Sequence, residues 1–193
     1  MSGVSRETSE RLSKLADLVR AWTPKINLIS KSSVGDLETR HIIDSLQVAE
    51  AANNVRAWCD LGSGGGFPGL VVAIVHPEIR VTLIESDQRK CVFLRHASRE
   101  LGLSVTIRNA RIENAEPTGA DIVSARALAP LSQLIPLAVR HGSSDARFIF
   151  PKGASFRQEL DAIRCDWSFE IDVRPSKTEK EAVILVLGNV ERA

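Results

Sequence analysis

Cys59-Asp60-Leu61-Gly62-Ser63-Gly64-Gly65-Gly66-Phe67-Pro68-Gly69 lies between an apolar segment ending near Leu61 and a helix-like run from Leu70 to His76. Glycine has no Cβ, so the chain can turn through positive φ and a ligand can rest directly on the backbone. Five glycines in the eight positions 62–69 therefore read as a nucleotide-type cofactor loop joining a strand to a helix. The spacing Gly64-x-Gly66-x-x-Gly69 formally satisfies the dinucleotide-binding pattern, which leaves two cofactor classes to separate.

The flanking acids bear on that choice. A dinucleotide site brings a pyrophosphate to a helix N-terminus, where free N–H groups and the helix dipole favour anions. Asp60 stands just before the first glycine. A carboxylate there disfavours phosphate and suits a cofactor with an ammonium and a sulfonium, namely S-adenosylmethionine. Pro68 fits the first turn of the next helix, where its missing N–H is harmless. Glu85 closes the β-rich run from Arg80 and lies 23 residues beyond Gly62. A carboxylate so placed accepts hydrogen bonds from ribose hydroxyls, a need that S-adenosylmethionine and NAD share.

Outward from this loop the chain alternates. Strands are expected over Val81–Glu85, Ser104–Arg108, Asp121–Ser124, Arg147–Phe150, Phe169–Val173 and Ala182–Leu187, with helices over Arg89–Leu101, Leu131–Arg140 and Phe156–Arg164. With the strand that ends near Leu61 this makes a mostly parallel, seven-stranded α/β sheet. Its ligand crevice belongs at the carboxyl ends of the parallel strands. Upstream, Leu12, Leu15, Ala16, Val19 and Trp22 share one helical face. Thr23-Pro24 is expected to break that helix, and a second is expected over Leu37–Ala51. The expected organisation is one domain over 1–193: an N-terminal helical cap over 1–54 and a Rossmann-like core over 55–193.

The 193 residues carry 25 basic and 24 acidic side chains, a net charge of +1, and are 44% hydrophobic. That composition suits a single packed domain and offers no bulk charge for nucleic acid. The longest apolar run, Leu70 to Val75, is too short to span a bilayer. The start, Met1-Ser-Gly-Val-Ser-Arg-Glu, lacks the apolar centre of a signal peptide, so a cytoplasmic location is the expectation. Cys59, Cys91 and Cys165 are scattered, as are His41, His76, His96 and His141, which suggests neither a disulfide framework nor a metal site. Nothing suggests an obligate oligomer, and a monomer is expected.

Several elements together resemble the bacterial RsmG (GidB) family. They are Asp60 to Gly69, Arg111-Ile112-Glu113, Ser124-Ala125-Arg126-Ala127, Lys152-Gly153, Asn27-Leu28 and Arg40-His41-Ile42-Ile43-Asp44-Ser45-Leu46. Members of that family are class I methyltransferases that move a methyl group from S-adenosylmethionine to N7 of one guanine in 16S rRNA. The resemblance runs from about Val4 to Leu187. It implies that Gly62 and Phe67 line the cofactor pocket beside Asp60, Gly64, Gly66 and Glu85. It also implies that Ile112 and Glu113 flank the adenine and that Arg126 closes the site. The implied partner is 16S rRNA or the small ribosomal subunit, with no membrane and no metal. The chain departs from the family in having Trp22-Thr23 where Trp-Asn is frequent, and Glu181-Ala182 where an Arg-His pair is frequent. Pro151 before Lys152 is a smaller variation.

Guanine N7 carries a lone pair and no proton, so the implied reaction needs alignment and no general base. No catalytic residue is assigned; Arg126 and Lys152 are candidates for positioning. Arg108, Arg111 and Lys152 are the expected RNA contacts, whereas the Arg89, Arg95, Arg99 and His96 stripe reads as the solvated face of a packed helix. His41 and Asp44, three residues apart, read as a hydrogen-bonded scaffold pair. A small-molecule or protein methyltransferase, an NAD-dependent oxidoreductase and a non-catalytic binding module remain alternatives. The oxidoreductase lacks support from any tyrosine, since the chain has none. Thermal-shift titration separates the cofactor classes: adenosylhomocysteine should stabilise the protein, NADH should not, and Asp60→Ala or Glu85→Ala should abolish the effect. A shift with NADH would overturn the assignment.

Overall fold

Strands that are buried on both faces need near-continuous apolar runs, and β1 (Ala57–Leu61), β2 (Arg80–Glu85) and β4 (Ala120–Ala125) supply them. In the computed structural model, which describes residues 5–193, these form the centre of one seven-stranded sheet. Met1–Val4, which carry part of the leader expectation and the start of the resemblance, lie outside the described residues. The remaining strands are β3 (Val105–Asn109), β5 (Gly142–Lys152), β6 (Trp167–Pro175) and β7 (Val183–Arg192). The order is β3-β2-β1-β4-β5-β7-β6, parallel from β3 to β5, with β7 antiparallel to both of its neighbours. Strand succession reverses between β1 and β4, so the crevice of a doubly wound sheet opens past Leu61 and Ala125.

The helices are α1 (Arg6–Ile26), α2 (Asp44–Ala49), α3 (Gly69–Val75), α4 (Gln88–Glu100), α5 (Leu131–His141) and α6 (Phe156–Asp161). Alternation along β1 sends Trp58 to one face of the sheet and Cys59 and Leu61 to the other. On the Trp58 face, Leu12, Leu15 and Val19 of α1 join Val72 of α3 and Phe93 of α4 in one buried cluster. The N-terminal helices thus share a core with the sheet. On the opposite face, Leu134 and Ile135 of α5 and Leu160 of α6 cover Val123 and Phe150.

Two local expectations are corrected. Pro24 does not break α1, which continues to Ile26 and ends at Asn27 with φ 50°. Proline within the last turn forfeits a single helical hydrogen bond, and Thr23 there donates its hydroxyl to the Val19 carbonyl at 2.7 Å. The expected second helix is present but is not uniform. Its first part, Glu38–Ile43, winds as a wider π-type helix before α2 begins. Such turns rotate the side chains that follow and recur at functional sites.

The helix after the glycine loop packs so closely that Gly69 cannot carry a side chain. A Cβ there would sit 2.3 Å from Leu83 Cδ2 and 2.9 Å from the Asp60 carboxylate, whereas at Gly153 it would meet nothing within 4 Å. Gly69→Ala should therefore destabilise by roughly 1–3 kcal/mol, a Tm loss of at least about 2 °C, and Gly153→Ala should leave Tm nearly unchanged. Equal melting temperatures for both variants would refute this packing account.

Candidate functional site

The glycine loop leaves β1 through three left-handed residues, Gly62 (φ 65°), Gly64 (φ 53°) and Gly66 (φ 87°). Backbone groups fasten it to β2: the Gly62 and Ser63 N–H groups donate to the Ile84 carbonyl at 2.8 and 3.2 Å. Glu85 completes the attachment. One carboxylate oxygen accepts from Gly64 N–H at 2.9 Å, and the other accepts from Asp87 N–H at 2.8 Å. Each oxygen keeps a lone pair for a further donor, and Glu85 lines the crevice.

Two cavities, about 360 and 450 Å3, share Gly62, Lys90, Arg126 and Ala127 and so form one continuous crevice over the ends of β1, β2 and β4. The first holds Glu85, Ile84, Ala110, Ile112 and Glu113. The second holds Gly64, Phe67, His41 and Asp44. Gly62 faces both, and a Cβ on it would come within 2.7 Å of Leu128, so glycine keeps the crevice open where the loop and the segment after β4 approach.

Asp60 departs from the expected placement. It is fully buried and borders neither cavity: one oxygen accepts from the Ser124 hydroxyl at 2.7 Å and the other from Gly69 N–H at 3.2 Å. Burial pushes its carboxyl up to about 6, against the opposing pull of the Ser124, Ser63 and Gly69 hydrogen bonds. Its geometry is that of a brace beneath the loop, joining β1 to β4 and to the start of α3. Gly66 likewise borders neither cavity; a Cβ there would lie 2.4 Å from Leu70, so its glycine serves packing.

Arg126 closes the crevice from above Phe67, with its guanidinium 5.4 Å from the ring centroid. It donates to the Arg40 carbonyl at 3.0 Å and to His41 Nδ1 at 2.6 Å. Arginine cannot accept, so His41 Nδ1 is bare and Nε2–H donates to Ser33 Oγ at 3.0 Å. Burial, followed by the charges of Arg126 and Arg40, lowers the His41 imidazole to about 4. The scaffold role expected of His41 is therefore played with Arg126. Asp44 instead accepts from Thr178 and from Gln47, because the π-type turns set His41 and Asp44 on different neighbours.

The expected RNA contacts divide. Arg111 is exposed at the rim of the first cavity. Arg108 donates to the Glu116 carbonyl at 2.5 Å and braces the β3–β4 connection. Lys152 is corrected: its side chain is only 11% exposed, and its ammonium is held at 2.8 Å by both the Ala129 carbonyl and Glu159. A lysine so committed is a strut between β5 and α6. Lys90 was not read from the sequence as a site residue, yet it borders both cavities from the first turn of α4. Its signal was its place five residues after Glu85, on the helix that the crevice acid leads into. Among the described residues, no His, Cys, Asp and Glu side chains are grouped as a metal site would require, and no helix is long and apolar enough to cross a membrane.

This sheet, its helical extension and the crevice at the strand reversal define the Rossmann-like fold of S-adenosylmethionine-dependent methyltransferases. The fold is shared with a methyltransferase from Geobacter sulfurreducens (TM-score 0.61, 15% identity, covering 97% of this chain and 90% of that one). It is shared also with M. jannaschii TYW2 solved in complex with AdoMet (TM-score 0.63, 13% identity, covering 86% and 78%). Residues 8–183 match the family model described as rRNA small subunit methyltransferase G, GidB, and the chain belongs to that family. Ribosomal RNA small subunit methyltransferase G of Ruegeria sp. (strain TM1040) is 51% identical, covering 98% of this chain and 94% of its own. The proteins of that name from Cereibacter sphaeroides (strain ATCC 17023) and Paracoccus denitrificans (strain Pd 1222) are 49% and 45% identical, covering 95% and 98% of this chain and 92% and 99% of their own.

The depressed His41 value gives a residue-resolved prediction. Between the free-imidazole value of 6.5 and about 4, the unfolded chain holds a proton on His41 that the folded chain does not. His41 therefore contributes stability above pH 6.5, and that contribution is lost as pH falls toward 4. Asp60, raised from 3.8 to about 6, slopes the opposite way in the same range, so global melting mixes the two. NMR titration of the His41 ring should show a neutral imidazole down to about pH 4, and a midpoint near 6.5 would refute the buried Arg126 contact.

Proposed function

We propose that the protein transfers a methyl group from S-adenosylmethionine to N7 of one guanine in the 16S rRNA of the small ribosomal subunit. The observation that carries this reading is similarity over nearly the whole chain to proteins named for small-subunit rRNA methylation. The crevice is consistent with it. Glu85 offers acceptors for a ribose diol, and Ile84, Ala110 and Ile112 offer an apolar bed for an adenine. Glu113 could meet the adenine amine only as an acceptor. Arg126 remains cationic between the charges of Asp44 and Asp60, although burial lowers its pKa, and it suits the carboxylate of an amino-acid tail. Gly62, Gly64 and Phe67 supply the floor, with Asp60 and Gly66 acting from beneath.

When bound, the cofactor supplies a methyl carbon activated by a positively charged sulfur. Guanine N7 brings an in-plane lone pair and loses no proton, so the protein's task is alignment. Holding reacting atoms at near-contact distance and in line is worth roughly 7–11 kcal/mol of barrier. In this reading 1–54 serves as a cap on the core, and Arg111 and Lys90 at the rim meet RNA phosphates.

The test is transfer of radiolabelled methyl from S-adenosylmethionine to small subunits purified from a strain lacking the enzyme, mapped by strand scission at N7-methylguanine. One labelled guanine in 16S rRNA is expected. No incorporation while adenosylhomocysteine still binds would remove the rRNA assignment and favour a small-molecule or protein acceptor.

A further inference from the structure

We propose that Asp44 reads the target base, its free carboxylate oxygen accepting a hydrogen bond from the guanine N2 amine; this rests on the guanine-N7 reading above. A third cleft of about 490 Å3 adjoins the second cavity and shares Arg40, Asp44, Arg126 and Ala127 with it. Asp44 thus stands where the crevice passes into open surface, the place from which an acceptor base must enter.

The cleft is built for a flat, neutral group. Leu128, Pro130, Pro151 and Ala182 give it apolar walls, and Leu128 is 38% exposed although large and hydrophobic. Ala127, a non-glycine residue at φ 50°, turns the chain just after β4 between Arg126 and Leu128. Left-handed residues of this kind are costly and persist where surrounding structure holds them, commonly at sites. The cations lining it are paired: Lys152 with Glu159 and the Ala129 carbonyl, Arg126 with the Arg40 carbonyl and His41, and Arg40 with Glu179 at 3.7 Å. With Asp44, Glu159 and Glu179 set against Arg40, Arg126 and Lys152, the cleft is balanced in charge, which suits an uncharged base.

Asp44 is half-buried and oriented from two sides. Its Oδ1 accepts from the Thr178 hydroxyl and from Gln47 Nε2, the latter at 3.3 Å. Its Oδ2 has no hydrogen-bond partner among the described residues. An ionised carboxylate only accepts. The Watson–Crick edge of guanine presents two donors, N1–H and the N2 amine; adenine presents the bare N1 acceptor in the same region. Enzymes that act on an extruded base read it by hydrogen bonds to this edge. The carboxylate therefore welcomes guanine and repels adenine, while N7 on the far side of the purine stays free to react.

The test combines a protein change with a base change. Small subunits reconstituted with guanine or inosine at the mapped position are methylated by the wild type and by Asp44→Asn, and kcat/KM is compared. Inosine lacks only the N2 amine. Wild type should lose about tenfold or more on inosine, and Asp44→Asn a similar factor on guanine, with no further loss when the variant meets inosine. Adenosylhomocysteine should still bind the variant, with Kd changing far less than kcat/KM, which also establishes that it folds. Wild-type indifference to inosine overturns the proposal without needing any variant. So does an equal inosine penalty in both proteins, or a parallel loss of adenosylhomocysteine affinity. A wild type that labels no guanine in unaltered subunits removes the N7 reading itself, and this inference with it.

Discussion

The buried Asp60 carboxylate holds together the parts on which everything else depends. It is inaccessible to solvent, yet both oxygens are engaged, by the Ser124 hydroxyl on β4 and the Gly69 N–H at the start of α3. Trp58 Nε1 donates to the same Ser124 oxygen at 2.8 Å, extending the chain of hydrogen bonds back along β1. Burying a charge is costly unless such partners meet it, and the rise of its carboxyl to about 6 records that cost. The compensation is geometric. With β1, β4 and α3 fixed to one another, the glycine loop between them has its ends tied 3.2 Å apart through a side chain, and its three left-handed residues are held in one arrangement.

A second link runs from the core to the N-terminal helices. Arg126 follows directly on β4 but spends its hydrogen bonds on Arg40 and His41, 86 and 85 residues earlier in the chain. Phe67 lies between, with the His41 ring at 5.2 Å and the guanidinium at 5.4 Å. The glycine loop, the strand-end arginine and the helical extension are therefore one packed unit. A shift of the π-type segment would move Arg126 and with it the wall of the crevice. Substitution remote in sequence from the glycine loop, at the buried Ile42 for example, can in this way act on the site through position alone.

How much of this was legible in the sequence depends on the range of the interaction. The glycine loop, the seven strands and Glu85 could be read because their signals are local: missing Cβ atoms, apolar runs and a carboxylate one strand beyond a turn. Helix ends came within a few residues for the same reason. The passage of α1 through Pro24 could not be read, since a proline near a helix end and one in its interior look alike until the end is known. Asp60 could be singled out by its place before the glycines, but nothing local says that its carboxylate points down into the core. Lys152 showed the reverse difficulty. Its strand-end position suggested contact with a ligand, while Glu159, seven residues on, already neutralised it. Asp44 is oriented by Thr178, 134 residues away, a pairing that only the antiparallel return of β7 beside β5 brings about.

The charge arrangement of the crevice follows the same logic at a larger scale. A cofactor that carries an ammonium, a carboxylate and a sulfonium has both signs of charge and one net positive charge, so a strongly basic pocket would oppose it and a strongly acidic one would leave its carboxylate unmet. Here Glu85 lines one end of the crevice and Arg126 stands where its two cavities meet. Asp60 lies below in a medium where its field is weakly screened. His41, kept neutral by its burial and by two adjacent arginines, adds an acceptor for Arg126 without adding positive charge. Were it protonated at neutral pH, it would lose that acceptor and repel the guanidinium. His41 thus serves as a fixed, uncharged support that keeps Arg126 over Phe67.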